Sequence, residues 1–289
     1  MKQYTSLYFV GAGGIGMSAL VRYFLAKGYK VAGYDRTQSP LTTELKTEGL
    51  EIVYEESVES IPDYCRNPET TLVVYTPAIP ASHAGLVYFR EHGFRVVKRA
   101  ELLGLITQSS KGLCFAGTHG KTTTSSMAAH IFHESPIGCN AFLGGILRNY
   151  NSNLILSEQS PFTVIEADEY DRSFHWLHPY MAVVTATDPD HLDIYGTEEA
   201  YLESFARFTS LIQPGGCLIM KKGIKLVPSV KENVKIYTYS ARDGGDFHAG
   251  NIRIGDGTIV FDFVMPEGSV ADIEPVSYTH LRAHETELH

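Results

Sequence analysis

The chain has 289 residues, of which 44% are hydrophobic and 20% are charged, as is usual for a globular protein. At roughly 150 residues per domain, this length suffices for about two domains. The net charge of −9 argues against a general surface for nucleic acid or anionic membrane, although a small anionic substrate needs only a few local cations. Four scattered cysteines, no C-x-x-C pair and no long apolar segment predict a reduced, cytoplasmic protein without membrane insertion.

The first motif is a glycine-rich turn after a predicted strand at 7–10. A helix at 17–26 and a strand at 30–34 follow, and the next residue is acidic. This strand–turn–helix order is typical of a dinucleotide site, where glycine lets the backbone approach a pyrophosphate. A UDP-sugar also contains a pyrophosphate, so a nicotinamide oxidoreductase and a UDP-sugar enzyme are both open at this point, as is a tight turn without a ligand. The candidate residues are Gly11, Gly13, Gly14, Gly16 and Asp35.

The segment between the first motif and residue 111 alternates strands and helices. Strands are predicted at 71–75 and 94–97, and helices at 83–92 and 100–106. This alternation predicts a parallel sheet with right-handed crossovers. A short polar link at 107–111 marks the expected domain boundary.

The second motif is the strongest in the chain and lies between a predicted strand at 112–116 and a predicted helix at 123–133. Backbone N–H groups at a helix start attract a phosphate, and a glycine there permits close approach. Lys121 adds a full positive charge, and the Thr122 hydroxyl is a candidate Mg²⁺ ligand. The pattern G-x-x-x-x-G-K-[ST] is incomplete because Phe115 replaces its first glycine, and the alternative is a helix start with a solvated lysine. The motif comprises Gly117, Thr118, His119, Gly120, Lys121, Thr122, Thr123 and Thr124.

Met127, Ala128, Ile131 and Phe132 predict one apolar face on the helix that follows this motif. The two-glycine segment 144–145 and the asparagine-rich segment 149–153 are expected to be loops. A helix at 197–212 carries aromatic residues at core spacing. Short strands are expected at 217–220, 234–239 and 258–264.

Two acidic segments follow predicted strands at 161–165 and 181–185. Because ligands of open α/β sheets lie beyond the carboxyl ends of strands, Glu166 and His191 should converge with Lys121 and Thr122. Thr122 and Glu166 would suffice as protein ligands of one Mg²⁺, and a second ion could be bound by His191. The alternative for Glu166 is a solvated carboxylate at the end of a strand. The alternative for His191 is a loop histidine that is hydrogen-bonded to Asp190 or Asp193. We expect Asp168, Glu169 and Asp171 to shape the loop and its field and not to bind the metal.

Together these motifs resemble those of the Mur ligase family. The resemblance covers about residues 4–273 and rests on 11–18, 117–124, 166–169 and 190–195. It implies an α/β protein with a Rossmann-like, parallel-sheet domain at 1–108 that binds a UDP-sugar. A P-loop-type central ATPase domain, incomplete at 109–273, would follow. The family's C-terminal ligase domain would be absent, and the tail at 274–289 resembles translated vector sequence.

The resemblance also implies a reaction and its cofactors, ATP and Mg²⁺. A lactyl carboxylate of UDP-N-acetylmuramate would attack the γ-phosphate of ATP, and the amine of L-alanine would displace phosphate, a step in peptidoglycan and cell-wall synthesis that supports cell shape and division. Lys121 would contact the ATP phosphates, which the rest of 117–123 would cradle. Thr122 and Glu166 would hold one Mg²⁺ and His191 the other.

Three alternatives remain beside this interpretation. A related ligase that attaches a whole tripeptide to the same sugar during cell-wall recycling fits the acidic segment at 166–171 equally well. A nicotinamide oxidoreductase explains the first glycine motif but assigns no role to Lys121, Glu166 or His191. Finally, without a third domain to close the site, we expect the chain to bind its ligands without ligating alanine.

Overall fold

The computed structural model describes residues 3–241, 244–255 and 258–275. Its first sheet has five parallel strands in the order β3-β2-β1-β4-β5 within the described residues. The strands are β1 Ser6–Val10, β2 Lys30–Tyr34, β3 Glu51–Val53, β4 Thr71–Tyr75 and β5 Arg95–Lys98. The helices are α1 Ile15–Ala26, α2 Pro40–Thr47, α3 Ala84–Glu91 and α4 Arg99–Gln108, and a 3₁₀ turn spans Asp63–Cys65.

At the centre of this first sheet the strand order reverses, because β2 and β3 lie on one side of β1 and β4 and β5 lie on the other. All five residues of β1 are buried, and β1 pairs with β2 on one side and β4 on the other. In open α/β sheets such a switch point opens a crevice at the carboxyl ends of the strands. The glycine-rich turn follows β1 directly, so the fold places it in that crevice.

The second sheet contains ten strands within the described part of the chain, in the order β15-β14-β13-β12-β11-β10-β6-β9-β7-β8. Its middle is parallel, whereas β8, β14 and β15 are added by antiparallel pairing. The strands are β6 Lys111–Ala116, β7 Asn140–Leu147, β8 Ser152–Ile155, β9 Phe162–Glu166, β10 Pro179–Val184, β11 Cys217–Lys221, β12 Lys235–Ser240, β13 Phe247–Gly255, β14 Thr258–Met265 and β15 Gly268–Ile273. The helices are α5 Lys121–Glu134, α6 Leu192–Tyr195 and α7 Glu198–Ser210, with a 3₁₀ segment at Tyr170–Trp176.

The predicted fold class is confirmed: a parallel Rossmann-like sheet precedes a second α/β unit built around the lysine-containing loop. Three local predictions were wrong. Residues 144–145 lie inside β7, and residues 152–153 lie in β8, where a loop was expected. The polar link is only two residues long, since α4 ends at Gln108 and β6 begins at Lys111. The domain boundary at 108 stays a prediction, and the expected vector-like tail lies outside the described residues from 276 onward.

A further wrong prediction concerns the face of α5 that is buried. Met127 is 45% exposed and Ile131 is 64% exposed, although the apolar pattern predicted that both would pack inward. The helix instead buries the small residues Ser125, Ser126 and Ala129. Small side chains let the start of α5 approach the sheet closely, and this approach positions the loop that contains Lys121.

Side chains of α1 pack against the β7–β8 hairpin of the second sheet. The rings of Tyr23 and Phe142 lie 5.2 Å apart. The buried side chain of Asn153 donates hydrogen bonds from Nδ2 to the Ile15 carbonyl at 2.5 Å and to Ser18 Oγ at 3.3 Å. These contacts hold the start of α1 close to the hairpin, so that the two candidate loops share one side of the molecule. No helix in the described ranges is long and apolar enough to cross a membrane.

Candidate functional site

The first glycine turn is fastened to the end of β2 by its own backbone. The N–H groups of Gly11 and Ala12 both donate to the Tyr34 carbonyl, at 2.8 and 2.9 Å. Gly13 N–H donates to Asp35 Oδ2 at 2.7 Å, and Thr37 N–H donates to the other oxygen of this carboxylate at 3.1 Å. Asp35 therefore shapes the turn, and the backbone donors left for a ligand are those at the start of α1, where N–H groups have no intrahelical acceptor.

Gly16 lies against the guanidinium of Arg99. A Cβ atom at this position would lie 2.7 Å from Nη1 of Arg99. The missing side chain thus allows a guanidinium to lie beside the first turn of α1, whose N-terminus carries partial positive charge. Gly14 precedes the helix as its cap in an extended conformation. The cation and the helix start together favour an anionic ligand here.

The second loop, between β6 and α5, is held by the chain that follows β10. Thr118 N–H donates to the Ala186 carbonyl at 3.1 Å, and the Thr118 hydroxyl donates to the Asp188 carbonyl at 2.7 Å. Thr185 Oγ1 donates to the His119 carbonyl at 2.5 Å. Gly120 has a φ of 80° and caps α5, whose first turn contains Lys121, Thr122 and Thr123. The described loop is therefore already bent around the helix start, as a phosphate cradle requires.

Lys121 is held by a buried carboxylate and by its own loop. Its Nζ lies 2.9 Å from both oxygens of Glu169 and donates to the Gly117 carbonyl at 2.8 Å. The Glu169 side chain is only 1% exposed and that of Lys121 17% exposed. Burial raises the pKa of Glu169, and the Lys121 ammonium opposes that rise. The lysine is consequently preorganised at the head of α5, with its charge partly balanced.

Thr122 and Glu166 meet at the head of the second sheet. The Thr122 hydroxyl donates to Glu166 Oε1 at 2.9 Å, and Gly144 N–H donates to Oε2 at 3.0 Å. Burial raises the pKa of Glu166, while these two hydrogen bonds and nearby Lys121 act in the opposite direction. Neighbouring oxygen ligands of an octahedral Mg²⁺, each about 2.1 Å from the ion, lie roughly 2.9 Å apart. The two oxygens present therefore fit one side of such a site.

His191 is not in described contact with Thr122 or Glu166. Its backbone N–H donates to Asp190 Oδ1 at 2.7 Å, and its Nε2 lies 3.7 Å from Asp190 Oδ2. The ring stands edge-on to Tyr170 at 5.2 Å, and the backbone is left-handed with a φ of 51°. The loop-histidine alternative thus describes the observed contacts, and the role as a metal ligand stays a prediction. In the described ranges no three His, Cys, Asp or Glu side chains gather as a metal site.

A cleft of about 760 Å³ lies between the first glycine turn and the carboxylate of Glu166. Residues of the first turn line it together with Gly144, Glu166 and Asp168 of the second unit. A smaller cavity of about 370 Å³ adjoins it, where Lys98 Nζ bonds to Asp171 Oδ2 at 2.8 Å. A ligand at the first turn could therefore extend to the carboxylate beside Thr122. Lining residues from the first unit include Gly11, Gly14, Gly16, Asp35, His83 and Arg99.

Several residues of this site escaped prediction from the sequence. Glu169 was expected only to shape the loop, and no local signal shows that it is the buried partner of Lys121, 48 residues away. Gly144 was placed in a loop, yet its N–H binds Glu166, and a Cβ there would lie 2.5 Å from Glu166 Oε2. Arg99 lies outside every sequence motif, so nothing in the sequence marked it as a site residue.

Comparisons with known proteins agree with this arrangement. The family model for the Mur ligase family, catalytic domain, matches residues 6–111, and the model for the Mur ligase middle domain matches residues 115–276. The UDP-N-acetylmuramate--L-alanine ligase of Parabacteroides distasonis is 66% identical over 274 residues, which is 95% of this chain and 59% of the relative. The protein of the same name from Phocaeicola vulgatus is 65% identical, covering 94% of this chain and 60% of the relative. The chain thus spans about 60% of the length of the curated relatives it matches.

Solved structures share the fold at lower identity. The UDP-N-acetylmuramate:L-alanyl-gamma-D-glutamyl-meso-diaminopimelate ligase from Neisseria meningitides aligns with a TM-score of 0.80 and 21% identity, over 96% of this chain and 89% of that one. The UDP-N-acetylmuramate-alanine ligase from Thermotoga maritima aligns with a TM-score of 0.75 and 23% identity, over 93% of this chain and 60% of that one. At these identities the likeness supports the fold alone.

Proposed function

The chain belongs to the Mur ligase family, and from this premise we propose that it serves the ATP-dependent ligation of L-alanine to UDP-N-acetylmuramate in peptidoglycan precursor synthesis. The observation that carries the proposal is that one cleft runs from the first glycine turn to Glu166, whose carboxylate accepts a hydrogen bond from Thr122 at the start of α5. An enzyme that joins a nucleotide sugar to a second substrate at the expense of ATP needs two nucleotide sites. The identity of about two thirds to proteins named as alanine ligases supports the substrate assignment.

In the proposed reaction the first loop binds the UDP-sugar. The first turn of α1 and the guanidinium of Arg99 hold the pyrophosphate, and Asp35 fixes the turn from behind through Gly13. The cleft then directs the sugar and its lactyl carboxylate toward Glu166 and Asp168. Because binding both substrates in one cleft turns a bimolecular encounter into an oriented one, positioning supplies much of the rate.

The second loop binds ATP in this proposal. Lys121 places its ammonium beside the γ-phosphate, and the backbone around Gly120 and the start of α5 surrounds the phosphate oxygens. The lactyl carboxylate oxygen attacks the γ-phosphorus as ADP leaves, and the amine of L-alanine then attacks the acyl carbon, loses a proton and displaces phosphate. Lys121 serves by stabilising charge on the transferred group, as in other phosphoryl transfers.

Thr122 and Glu166 would hold the Mg²⁺ that accompanies ATP, with His191 as the predicted ligand of a second ion. When bound, the metal would neutralise charge on the phosphate groups. Glu166 must be ionised to bind it, and the hydrogen bonds from Thr122 and Gly144 favour that form against its burial. Within the proposal the protein acts in the cytoplasm, and its four described cysteines are free thiols, as a reducing compartment favours.

Calorimetry with two variants tests the two-site proposal. Lys121→Ala should remove binding of a non-hydrolysable ATP analogue and preserve binding of UDP-N-acetylmuramate. Gly16→Val should do the reverse, because its side chain would displace the Arg99 guanidinium and cover the start of α1. Equal losses of both ligands in either variant, measured on folded protein, would contradict separate sites.

The competing functions are distinguished by their ligands. Micromolar binding of NADH that displaces UDP-N-acetylmuramate would support a nicotinamide oxidoreductase instead. Binding of L-alanyl-D-glutamyl-diaminopimelate, and not of L-alanine, to protein saturated with UDP-N-acetylmuramate and the ATP analogue would support the tripeptide ligase of cell-wall recycling. The high identity to alanine ligases favours the first substrate.

A further inference from the structure

His83 has a buried hydrogen-bond donor that no described residue satisfies. The residue caps α3, and its Nδ1 accepts a hydrogen bond from Leu86 N–H at 3.3 Å. Because Nδ1 accepts, the ring proton of the neutral imidazole lies on Nε2. His83 is only 5% exposed, and its Nε2 has no partner among the described residues. Buried polar groups in native proteins are almost always paired, so this donor calls for an explanation.

The ring of His83 belongs to the wall of the 760 Å³ cleft that also contains the first glycine turn. Because Nε2 is covered by neighbouring atoms as well as unpaired, we expect a ligand in this cleft to supply the missing acceptor after a small movement of the side chains that cover it. The ring packs against Tyr34, at 4.5 Å between centroids, and Ile79 and Pro80 line the same cleft. This part of the wall is therefore mostly aromatic and apolar, with the Glu56 carboxylate beside it and the N–H of His83 as a donor.

The chemistry of this wall differs from that of the phosphate end. At the start of α1 the donors are backbone N–H groups and a guanidinium, which suit an anion. Around His83 the donor is neutral, since burial lowers the pKa of this histidine, although the charge of nearby Glu56 opposes the shift. A flat, uncharged ring with a carbonyl oxygen matches such a wall better than a phosphate does.

We propose that Nε2–H of His83 donates a hydrogen bond to a carbonyl oxygen of the pyrimidine base of the UDP-sugar, which makes His83 a determinant of nucleobase specificity. The proposal rests on the proposed function, because it assigns the base end of the same ligand. It extends that function by identifying a side chain outside both glycine motifs and by giving its tautomer. The imidazole has two tasks: Nδ1 caps α3 and Nε2 reads the ligand.

The test separates these two tasks with variants that retain the cap. Serine is a preferred N-cap residue, so His83→Ser keeps an acceptor for the helix and removes the donor. His83→Asn keeps both a cap acceptor and an N–H donor. Thermal unfolding first establishes that both variants fold. Calorimetry then measures the affinity of each protein for UDP, for CDP, in which an amino group replaces the O4 carbonyl, and for 2-thio-UDP, in which sulfur replaces O2.

We expect wild type to prefer UDP over at least one of the two analogues. His83→Ser should bind UDP about tenfold more weakly, as expected for one lost hydrogen bond, and that preference should disappear. His83→Asn should recover part of both. Unchanged UDP affinity in a folded His83→Ser protein, or an unchanged preference among the three nucleotides, would overturn the proposal.

Two further measurements keep this test independent of the proposed function. If wild type binds neither UDP nor UDP-N-acetylmuramate, the proposed function fails at the outset, and the role of His83 fails with it. If wild type binds both ligands and the His83 variants bind UDP and its analogues as wild type does, the proposed function stands. The assignment of His83 is then wrong. Binding of a non-hydrolysable ATP analogue should be equal in all three proteins, because His83 lies in the first α/β unit and the lysine-containing loop lies in the second.

Discussion

The contact between Lys121 and Glu169 provides a test of the ATP loop that separates stability from binding. Replacing Lys121 with methionine leaves the Glu169 carboxylate, 1% exposed, without its cation. Two unit charges 2.9 Å apart attract by about 6 kcal/mol at an effective dielectric constant of about 20, and desolvation offsets part of this. Breaking a buried ion pair by removing one partner typically costs about 3–5 kcal/mol. Since Lys121 is itself 17% exposed, we expect a loss of unfolding free energy near the lower end, about 3 kcal/mol.

A second substitution distinguishes the ion pair from other effects of Lys121→Met. Adding Glu169→Gln removes the stranded charge, so the double variant should recover most of the lost stability in urea unfolding at pH 8. The single variant should also be less destabilised in mild acid. Burial raises the folded-state pKa of Glu169 above that of the unfolded chain. The free-energy cost of ionising Glu169 in the folded protein therefore grows as the pH rises from the unfolded-state pKa through the folded-state pKa.

Ligand binding should not follow stability in this series. Both Lys121→Met and the double variant lack the ammonium, so both should bind the ATP analogue at least 100-fold more weakly, by analogy with lost transition-state donors worth about 2.7–4 kcal/mol. UDP-N-acetylmuramate should bind all of them like wild type. Recovery of ATP binding in the double variant would show that Lys121 only neutralises Glu169. A loss of stability below about 1 kcal/mol in Lys121→Met, with no change on adding Glu169→Gln, would refute the buried ion pair.

Three further predictions address the metal site and the histidines. Glu166→Gln should weaken binding of the ATP analogue with Mg²⁺ more than without it in paired titrations, and the same comparison on His191→Ala tests the second predicted ligand; a variant that responds equally in both conditions does not bind metal. Gly144→Ala should likewise weaken Mg²⁺-dependent binding, because its Cβ would lie 2.5 Å from Glu166 Oε2, whereas the control Gly145→Ala meets only Thr122 Cγ2 at 3.6 Å and should bind normally; equal effects would contradict the geometry. Burial lowers the pKa values of His83, His175 and His178. Their contribution to stability is therefore full above the unfolded-state pKa near 6.5 and is lost as the pH falls through the lower folded-state pKa values. Urea unfolding at pH 7.5 and 5.5 checks this, and equal unfolding free energies would contradict it.

The sequence predicted the parts of the fold that local patterns determine. The apolar run that forms β1, the glycine turn after it and the lysine loop before α5 were all identified, because a buried strand and a helix start each leave a short-range signature. The convergence of Thr122 with Glu166 was also expected, since both follow neighbouring parallel strands.

What the sequence missed depends on long-range packing. Residues 144–145 have low β-propensity, and they continue β7 beyond the residues that pair with β9, where Gly144 N–H donates to the Glu166 side chain. Met127 and Ile131 follow a helical apolar pattern, but α5 approaches the sheet through small residues and leaves both exposed. Glu169 could not be matched to Lys121 across 48 residues. His83 looked like an ordinary helix-start residue because its second nitrogen matters only once the cleft has formed.

Simultaneous binding tests the central claim of two separate nucleotide sites most directly. Calorimetric titration of UDP-N-acetylmuramate into wild-type protein would be done alone and again in the presence of saturating ATP analogue and Mg²⁺. The two-site account predicts one equivalent of UDP-sugar in both titrations and one equivalent of ATP analogue in the reciprocal experiment. Loss of UDP-sugar binding when the ATP site is saturated, or displacement of the UDP-sugar by NADH, would contradict it.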